Sequence, residues 1–160
     1  MFRVLLDASG ATELEAQTNM PLMLTMLEAF ATEVRDEKLL FADGPATELS
    51  IPGAVFRGRK PDDEGPGGEW VVVVDGTVVG GGGILKHYNP PYGDLYMEVL
   101  ESARRRGVGS FLIQEMRRAC REAGRVPAAR CDTTNEPSRR TLERGGMVPC
   151  GRLVAGRVRG

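Results

Sequence analysis

The stretch ESARRRGVGSFLIQ, residues 101–114, sets three arginines directly before two closely spaced glycines and an apolar run. From Val108 onward apolar residues recur at a helical period for four turns, until Gly124 ends the pattern. The glycines therefore lie where a helix begins and where its backbone N–H groups lack partners. Positive charge beside bare backbone suits a phosphate held on those amides, a nucleic-acid backbone, or a solvated helix start without a ligand.

The elements around this helix predict a mixed, mostly antiparallel sheet flanked by helices, which is an α/β (α+β) fold. Asp75-Gly76 between two β-branched runs predicts a hairpin. In order, we expect strands at Trp70–Val74, Val78–Leu85 and Asp94–Leu100, the helix from Val108, a strand at 127–133, a helix capped by Asn135, and a closing strand pair at Met147–Val158.

The segment before Trp70 is expected to differ in character from the rest. Apolar spacing after Pro21 predicts a helix over residues 22–40, and the density of proline and glycine in residues 41–68 predicts an irregular, exposed connection. Glycines at 80–83 predict a bulge or a close backbone approach within their strand in preference to a phosphate loop. We expect one domain over residues 1–160, with a helical part at about 1–68 and a core at about 69–160.

Composition narrows the classes of protein further. With 160 residues, 41% of them hydrophobic, the chain can bury a core without disulfide bonds or a structural metal to stabilise it. Its three cysteines lack CxxC spacing, which favours a reduced, cytoplasmic protein with no metal site. Neither a signal peptide nor a membrane span is expected.

The net charge is −1, yet residues 1–100 carry 7 basic against 16 acidic side chains and residues 101–160 carry 14 basic against 6 acidic side chains. This asymmetry indicates either an anionic ligand on the basic half or pairing between the halves.

Spacing decides among phosphate-binding loops. The chain lacks the GxxxxGK pattern of nucleotide P-loops, and a Rossmann fingerprint would need a third glycine after Gly109. The pattern Arg104-x-x-Gly107-x-Gly109 resembles the pyrophosphate signature of the GNAT superfamily, the acetyl-CoA-dependent N-acetyltransferases. The segment NEPSRRTLERGGM, residues 135–147, is similar to a second motif of that family, and the resemblance extends over about residues 70–158.

The resemblance implies an acyltransferase that uses acetyl-CoA as co-substrate and a sheet that splays at the cofactor-binding strand. Met97–Val99 would meet the pantetheine arm, and Asn135 and Ser138 would line the other flank of the cofactor. The residues implied for the pyrophosphate are Arg104, Arg105, Arg106, Gly107, Val108, Gly109 and Ser110.

Direct attack of an amine on a thioester needs a base, a donor to the oxyanion and an acid for the leaving thiolate. For the base we favour Glu98, whose pKa partial burial would raise, although the same residue could face outward and pair with an arginine. Asp94 is the second choice, and His87 is a third with a suitable pKa but a position at a strand end.

The family's acid is a tyrosine seven residues after the motif asparagine, and here that position is Leu142. Either Tyr88, Tyr92 or Tyr96 supplies the proton from another element, or the thiolate leaves without a tyrosine. The cysteines Cys120, Cys131 and Cys150 could support an acyl-cysteine route, but small core residues are the better interpretation.

Three functions are compared. The first is an N-acetyltransferase acting on a primary amine of a small molecule or peptide, and the second is a non-catalytic acyl-CoA-binding or sensing module, which the departure at Leu142 motivates. Nucleic-acid binding is disfavoured because only 6% of the residues are aromatic and the first hundred residues carry a net negative charge.

The acids at 28, 33, 36 and 37 on the predicted helix, and those at 62–64, would favour a cationic acceptor or would merely form a solvated face. The sequence leaves open whether the chain forms a homodimer.

Overall fold

The computed structural model describes residues 2–87 and 90–159, and the eight strands in this part of the chain form one sheet. Four α-helices and a short 3-10 helix at Glu101–Ala103 complete the fold. The strand order is β1-β8-β2-β7-β6-β5-β4-β3. The elements are α1 (Phe2–Ser9), β1 (Glu13–Thr18), α2 (Pro21–Phe30), β2 (Ala31–Asp43), β3 (Ala54–Gly58), β4 (Trp70–Val74), β5 (Thr77–Leu85), β6 (Tyr92–Val99), α3 (Val108–Glu122), β7 (Val126–Asp132), α4 (Glu136–Arg144) and β8 (Met147–Arg159).

The sheet is mixed and mostly antiparallel, as predicted: among the described strands only β6 and β7 run parallel. The hairpin is also confirmed, with Val74 paired to Thr77 across a turn in which Asp75 and Gly76 have φ of 50° and 77°. Both central residues of such a turn need positive φ, which explains the Asp-Gly pair.

The glycine run of β5 reflects close approach of other backbone and side chains. A Cβ added at Gly81 would lie 2.4 Å from the carbonyl oxygen of Pro66, and one at Gly82 would lie 2.9 Å from the Met116 sulfur of α3. The strand pairing also shifts register between Val72 and Val73, opposite the start of the run. The predicted bulge and close approach are therefore both present.

The helix predicted over residues 22–40 is wrong in its second half. Helix α2 ends at Phe30, and β2 begins at the next residue and lies between β7 and β8. Pairing on both edges satisfies the backbone of β2, so the tertiary context overrides the helical spacing. The expected helical part at 1–68 consequently contains three strands, and the closing strand pair is one continuous strand, β8.

The proline-rich segment is more ordered than predicted. It contains β3, and the loop after it is held by Arg57, which donates to both carboxylate oxygens of Asp63 at 2.6 and 2.7 Å. Arg59 donates to the carbonyls of Asp63 and Gly68 at 2.8 and 3.0 Å, and also to that of Pro66. These bonds hold the loop against β5 without regular secondary structure of its own.

Helix α3 packs on β4 to β7 through the main hydrophobic core, while α1 and α2 contribute to a second, smaller core with β8. Arg117, which is 1% exposed, anchors the second half of α3. It donates to Asp43 at 2.8 Å and to the carbonyls of Gly44, Pro45 and Gly145. One buried arginine therefore joins α3 to the ends of β2 and α4.

None of the helices within 2–87 and 90–159 has the length and apolar character that a membrane crossing requires.

Candidate functional site

A gap opens where strands β6 and β7 separate. Their parallel pairing covers only Tyr92–Leu95 against Val126–Ala129. Beyond this point β7 continues to Asp132 paired with β2, and β6 continues to Val99 paired with β5. Each strand keeps its outer partner, so the last four residues of β6 face a wedge-shaped opening. The splay predicted at this strand is confirmed.

A cavity of about 260 Å³ occupies the wedge. Met97 of β6, Ile113 of α3 and Leu142 of α4 give it apolar walls, while Tyr96, Arg130 and Ser138 add polar groups. Helix α4 is held here by Asn135, whose Oδ1 accepts a hydrogen bond from the Ser138 N–H at 3.1 Å, which confirms the predicted cap. Met97 and Ser138, predicted on separate elements, therefore line one cavity.

The loop between β6 and α3 brings positive charge to the mouth of this gap. Arg104, Arg105 and Arg106 are exposed, and Arg105 has a φ of 61°, which is uncommon for a side chain other than glycine. Arg104 Nε is 3.4 Å from the carbonyl oxygen of Val99. Three cations thus lie beside the first turn of α3, whose N–H groups have no acceptor within the helix.

The two glycines of this loop are required for different reasons. Gly107 has a φ of 83°, and a Cβ there would meet nothing within 4 Å, so the constraint is conformational. At Gly109 a Cβ would lie 2.8 Å from Thr141 Cγ2 and 3.3 Å from Met97 Sδ, so the constraint is packing of α3 against α4 and β6. Only at Gly107 is there open space beside the backbone.

Val108 and Ser110 are buried, so an anion would meet them through backbone N–H groups. Val99 is half-buried on β6 beside Gly109. The sequence-predicted cofactor residues are therefore contiguous in space: β6 leads into the arginine loop, the loop into α3, and α4 faces both.

The predicted catalytic residues share the opposite face of β6. Leu95 is buried towards α3, whereas Tyr96 and Glu98 are exposed and Asp94 is paired with Arg130 at 3.1 Å. The partial burial expected for Glu98 is absent. The Tyr96 ring lies over β5, where a Cβ at Gly83 would be 2.6 Å from its hydroxyl oxygen.

Arg130 is a charged residue of the cavity wall that the sequence did not single out. Its side chain is 43% exposed, while its partner Asp94 is only 16% exposed, so the pair lies at the rim of the cavity where β6 and β7 begin to separate. An arginine inside a short strand otherwise made of small residues was the available signal.

Leu142 occupies the position of the expected tyrosine acid. Its side chain is 4% exposed and forms part of the cavity wall, so α4 offers no proton there. Tyr92 and Tyr96 are both exposed on β6, and Tyr96 borders the cavity. Tyr88 lies outside the described residues, and His87 is exposed.

The cysteines divide into two kinds. Cys120 and Cys131 are buried, and burial raises the pKa of each thiol, which makes them poor nucleophiles and fits the core interpretation. Cys150 is exposed on β8, so the core interpretation is wrong for that residue.

Some of the acids expected to form an acceptor wall are paired with arginines. Glu28 lies on α2 but Glu33 and Asp36 lie on β2, since the predicted helix ends early. Asp36 pairs with Arg152, and Asp63 pairs with Arg57, which holds the pKa of the Asp63 carboxyl well below its usual range. Asp36 and Asp63 are therefore each engaged in a local ion pair.

Comparison with known proteins agrees with this geometry. The model of the acetyltransferase (GNAT) family matches residues 27–147. No curated protein sequence matches the chain.

Solved structures share the fold at low sequence identity. An acetyltransferase of the GNAT family from Colwellia psychrerythraea has a TM-score of 0.70 at 12% identity, with 93% of this chain and 66% of that chain covered. A putative acetyltransferase of the GNAT family from Novosphingobium aromaticivorans has a TM-score of 0.58 at 19% identity, with 92% of this chain and 75% of that chain covered. A GCN5-related N-acetyltransferase from Sphaerobacter thermophilus has a TM-score of 0.61 at 17% identity, with 92% of this chain and 60% of that chain covered. The chain thus spans about two thirds of the length of the first of these proteins.

Proposed function

Because this chain belongs to the acetyltransferase (GNAT) family, we propose that it transfers the acetyl group of acetyl-CoA to a primary amine by direct attack in a ternary complex. The observation that carries the proposal is the wedge between β6 and β7, which runs from the arginine loop to a cavity bordered by ionisable side chains. An elongated ligand with an anionic middle and a reactive end fits this arrangement.

The residues present suit the co-substrate. The exposed arginines and the first N–H groups of α3 would hold the pyrophosphate, and Gly107 leaves open space there. The unpaired edge of β6 at Met97–Val99 offers backbone groups to the pantetheine arm, with Ser138 on the other side of the cavity. Acetyl-CoA, when bound, supplies an acetyl thioester.

The open face of β6 supports the proton transfers. Asp94 is engaged by Arg130, so we assign the base to Glu98, which takes a proton from the acceptor ammonium. A backbone N–H of β6 stabilises the charge on the thioester oxygen as the C–N bond forms and the C–S bond breaks. Tyr96, at the cavity rim, replaces the missing tyrosine of α4 and donates a proton to the departing sulfur. The second proton that the nitrogen loses as the amide forms then restores the tyrosine hydroxyl.

The acceptor is proposed to be a small-molecule or peptide amine that approaches from this same face. Its charge is not dictated by the acids at 36 and 63, because both are already paired. Glu98 is the acid that we expect the amine itself to meet.

A second candidate, a non-catalytic acyl-CoA-binding module, is favoured by one observation, the buried leucine at the acid position. Thiol release from acetyl-CoA across a panel of small amines and peptide amino termini separates the two functions. An acetyltransferase releases thiol with at least one amine and forms an equal amount of acetylated product. A binding module is stabilised by acetyl-CoA in a thermal-shift assay but releases no thiol above background, and absence of both effects would reject both functions.

A further inference from the structure

The cavity in the wedge is lined from both faces of the sheet. Side chains alternate along β6, so Leu95 and Met97 face α3, whereas Asp94 and Tyr96 point to the opposite, open face. All four residues line the same cavity. A thioester that reaches the cavity from the α3 side can therefore meet an acceptor that enters from the open face.

Arg130 brings a positive charge to the open face. It lies between Ala129 and Cys131, which are buried, so the alternation along β7 turns it to the same face as Tyr96. Because the pairing of the two strands ends at Leu95 and Ala129, Tyr96 and Arg130 are the first residues past the point of separation. No other basic side chain of residues 2–87 and 90–159 lines the cavity. A group bound to Arg130 would therefore lie across the wedge from Tyr96.

Two arginines of the fold are paired with aspartates but differ in how they are enclosed. Arg117 is buried and donates to Asp43 and to three backbone carbonyls, which is a structural role. Arg130 remains exposed, while its partner Asp94 is largely buried and accepts from its Nε side at 3.1 Å. A guanidinium has five N–H donors in a planar fork, and a bidentate carboxylate takes two of them. Asp94 thus orients the guanidinium, whose exposed part lines the cavity.

The charges of the open face suit a ligand that carries both signs. Two residues beyond Arg130 on β7, Asp132 is engaged by Lys38 of β2. Glu98 is exposed on the same face of β6. A ligand with positive charge alone would be repelled by Arg130, and a doubly charged phosphate would be repelled by Asp94 and Glu98. An ammonium at Glu98 together with a carboxylate at Arg130 satisfies both groups.

We propose that the acceptor is an amine that carries a carboxylate, such as a free amino acid, and that Arg130 binds this carboxylate. The bound carboxylate holds the acceptor with its amine towards Glu98, which is assigned as the base. The inference rests on the proposed function, because it names the acceptor class of the same site. A peptide amino terminus, whose neighbouring carboxyl group is an amide, is then a poor acceptor.

The test compares acceptors that differ in one group. The common α-amino acids, β-alanine and 4-aminobutyrate each have an amide counterpart that keeps the amine and lacks the carboxylate. Arg130→Gln removes the charge, and Arg130→Lys keeps the charge but loses the planar fork. Arg152→Gln is the matched control, since Arg152 also pairs with an aspartate of the neighbouring strand, Asp36, but does not line the cavity.

We expect kcat/KM of the wild type for at least one amino acid to exceed that for its amide by about tenfold or more, as a charge-assisted bidentate contact provides. Arg130→Gln should abolish this preference by lowering kcat/KM for the acid, with less than about a twofold change for the amide. Arg130→Lys should keep part of the preference, and Arg152→Gln should keep all of it. If Arg130 only braces β7 against β6, Arg130→Gln will lower both values equally, which would overturn the inference.

Calorimetry separates this inference from the proposed function. The same amines are titrated into protein saturated with CoA, which has no acetyl group to transfer. If an amino acid binds at least about tenfold more tightly than its amide, and Arg130→Gln removes the difference, the carboxylate site stands even when no amine is acetylated and the proposed function fails. Acetylation of amines without preference for the acid, or a preference that survives Arg130→Gln, overturns the inference and leaves the proposed function. An acid that is neither bound nor acetylated, throughout the panel, also overturns it.

Discussion

The two faces of β6 differ in what they tolerate. On the face towards α3, atoms are so close that Gly109 has no room for a Cβ between Thr141 and Met97. On the other face Tyr96 and Glu98 are exposed. The packed face fixes where a cofactor would lie, whereas the open face leaves ionisable groups accessible to a second substrate. Substitutions on the packed face should therefore change KM and stability, and substitutions on the open face should change kcat.

The largest expected effect lies on the open face. Glu98→Gln should lower kcat by about 100-fold or more, since a general base contributes that much, while the KM of acetyl-CoA stays within about twofold. Steady-state thiol release measures both constants. Asp94→Asn is the matched comparison, and a greater loss of kcat there than in Glu98→Gln would reverse the assignment of the base.

On the packed face, Gly109→Val should raise the KM of acetyl-CoA by more than tenfold and cost about 1–3 kcal/mol of unfolding free energy, because its side chain collides with Thr141. Arg105→Ala, which removes one of three exposed cations, should change KM by less than about threefold. Denaturant unfolding and initial rates give the two quantities.

The double variant Gly109→Ala with Thr141→Ser tests whether contact with Thr141 causes this loss. Serine lacks the Cγ2 methyl that the new Cβ would meet, and it keeps the hydroxyl that bonds the Pro137 carbonyl at 2.8 Å. The double variant should recover most of the loss seen in Gly109→Ala alone. Simple addition of the two effects would mean that contact with Thr141 is not the cause.

A smaller effect separates the two glycines of the loop. Gly107→Ala should cost about 1–2 kcal/mol because φ is 83°, and Gly107→Asn should cost less, since asparagine tolerates this conformation. At Gly109 the order should reverse, with alanine better than asparagine, because the limit there is space. Thermal denaturation of the four variants measures these losses. If alanine and asparagine rank in the same order of stability at both positions, the distinction between the two glycines is contradicted.

The smallest effect concerns the loop over β5. The pKa of Asp63 is lowered in the folded protein, first by the hydrogen bonds from Arg57, so its contribution to stability is present above the ordinary aspartate pKa of about 4 and lost as pH falls further. The difference in Tm between wild type and Asp63→Asn should shrink below about pH 4. Asp62→Asn, without that hydrogen bond, should show no such trend, and a difference independent of pH would contradict the role of the Arg57–Asp63 pair.

The elements that could be predicted from the sequence are those specified by local chemistry. The turn at Asp75-Gly76, the periodicity of α3 and the Asn135 cap each depend on residues a few positions apart. The candidate pyrophosphate loop at Arg104 to Ser110 could be predicted for the same reason, since its glycine spacing differs from that of nucleotide P-loops and of the Rossmann fingerprint.

The remainder depends on partners distant in sequence. Strand β2 is a strand because β7 and β8 lie on both sides of it, and nothing within residues 31–43 shows that. The exposure of Glu98 and the pairing of Asp94 with Arg130 likewise follow from where β7 departs from β6. Sequence spacing predicted the residues of the candidate site but could not tell which face of the strand each one would occupy.

The insertion of β2 also constrains how the chain folds. Ala31 pairs with Val158, and Lys38 pairs with both Asp132 and Leu153, so the middle of the sheet closes only after nearly the whole chain is available. Contacts so distant in sequence slow folding, and during synthesis β2 can form its pairs only after β7 and β8 have been made. A fragment without residues 1–43 would expose the unsatisfied edges of β7 and β8, which makes aggregation its expected fate.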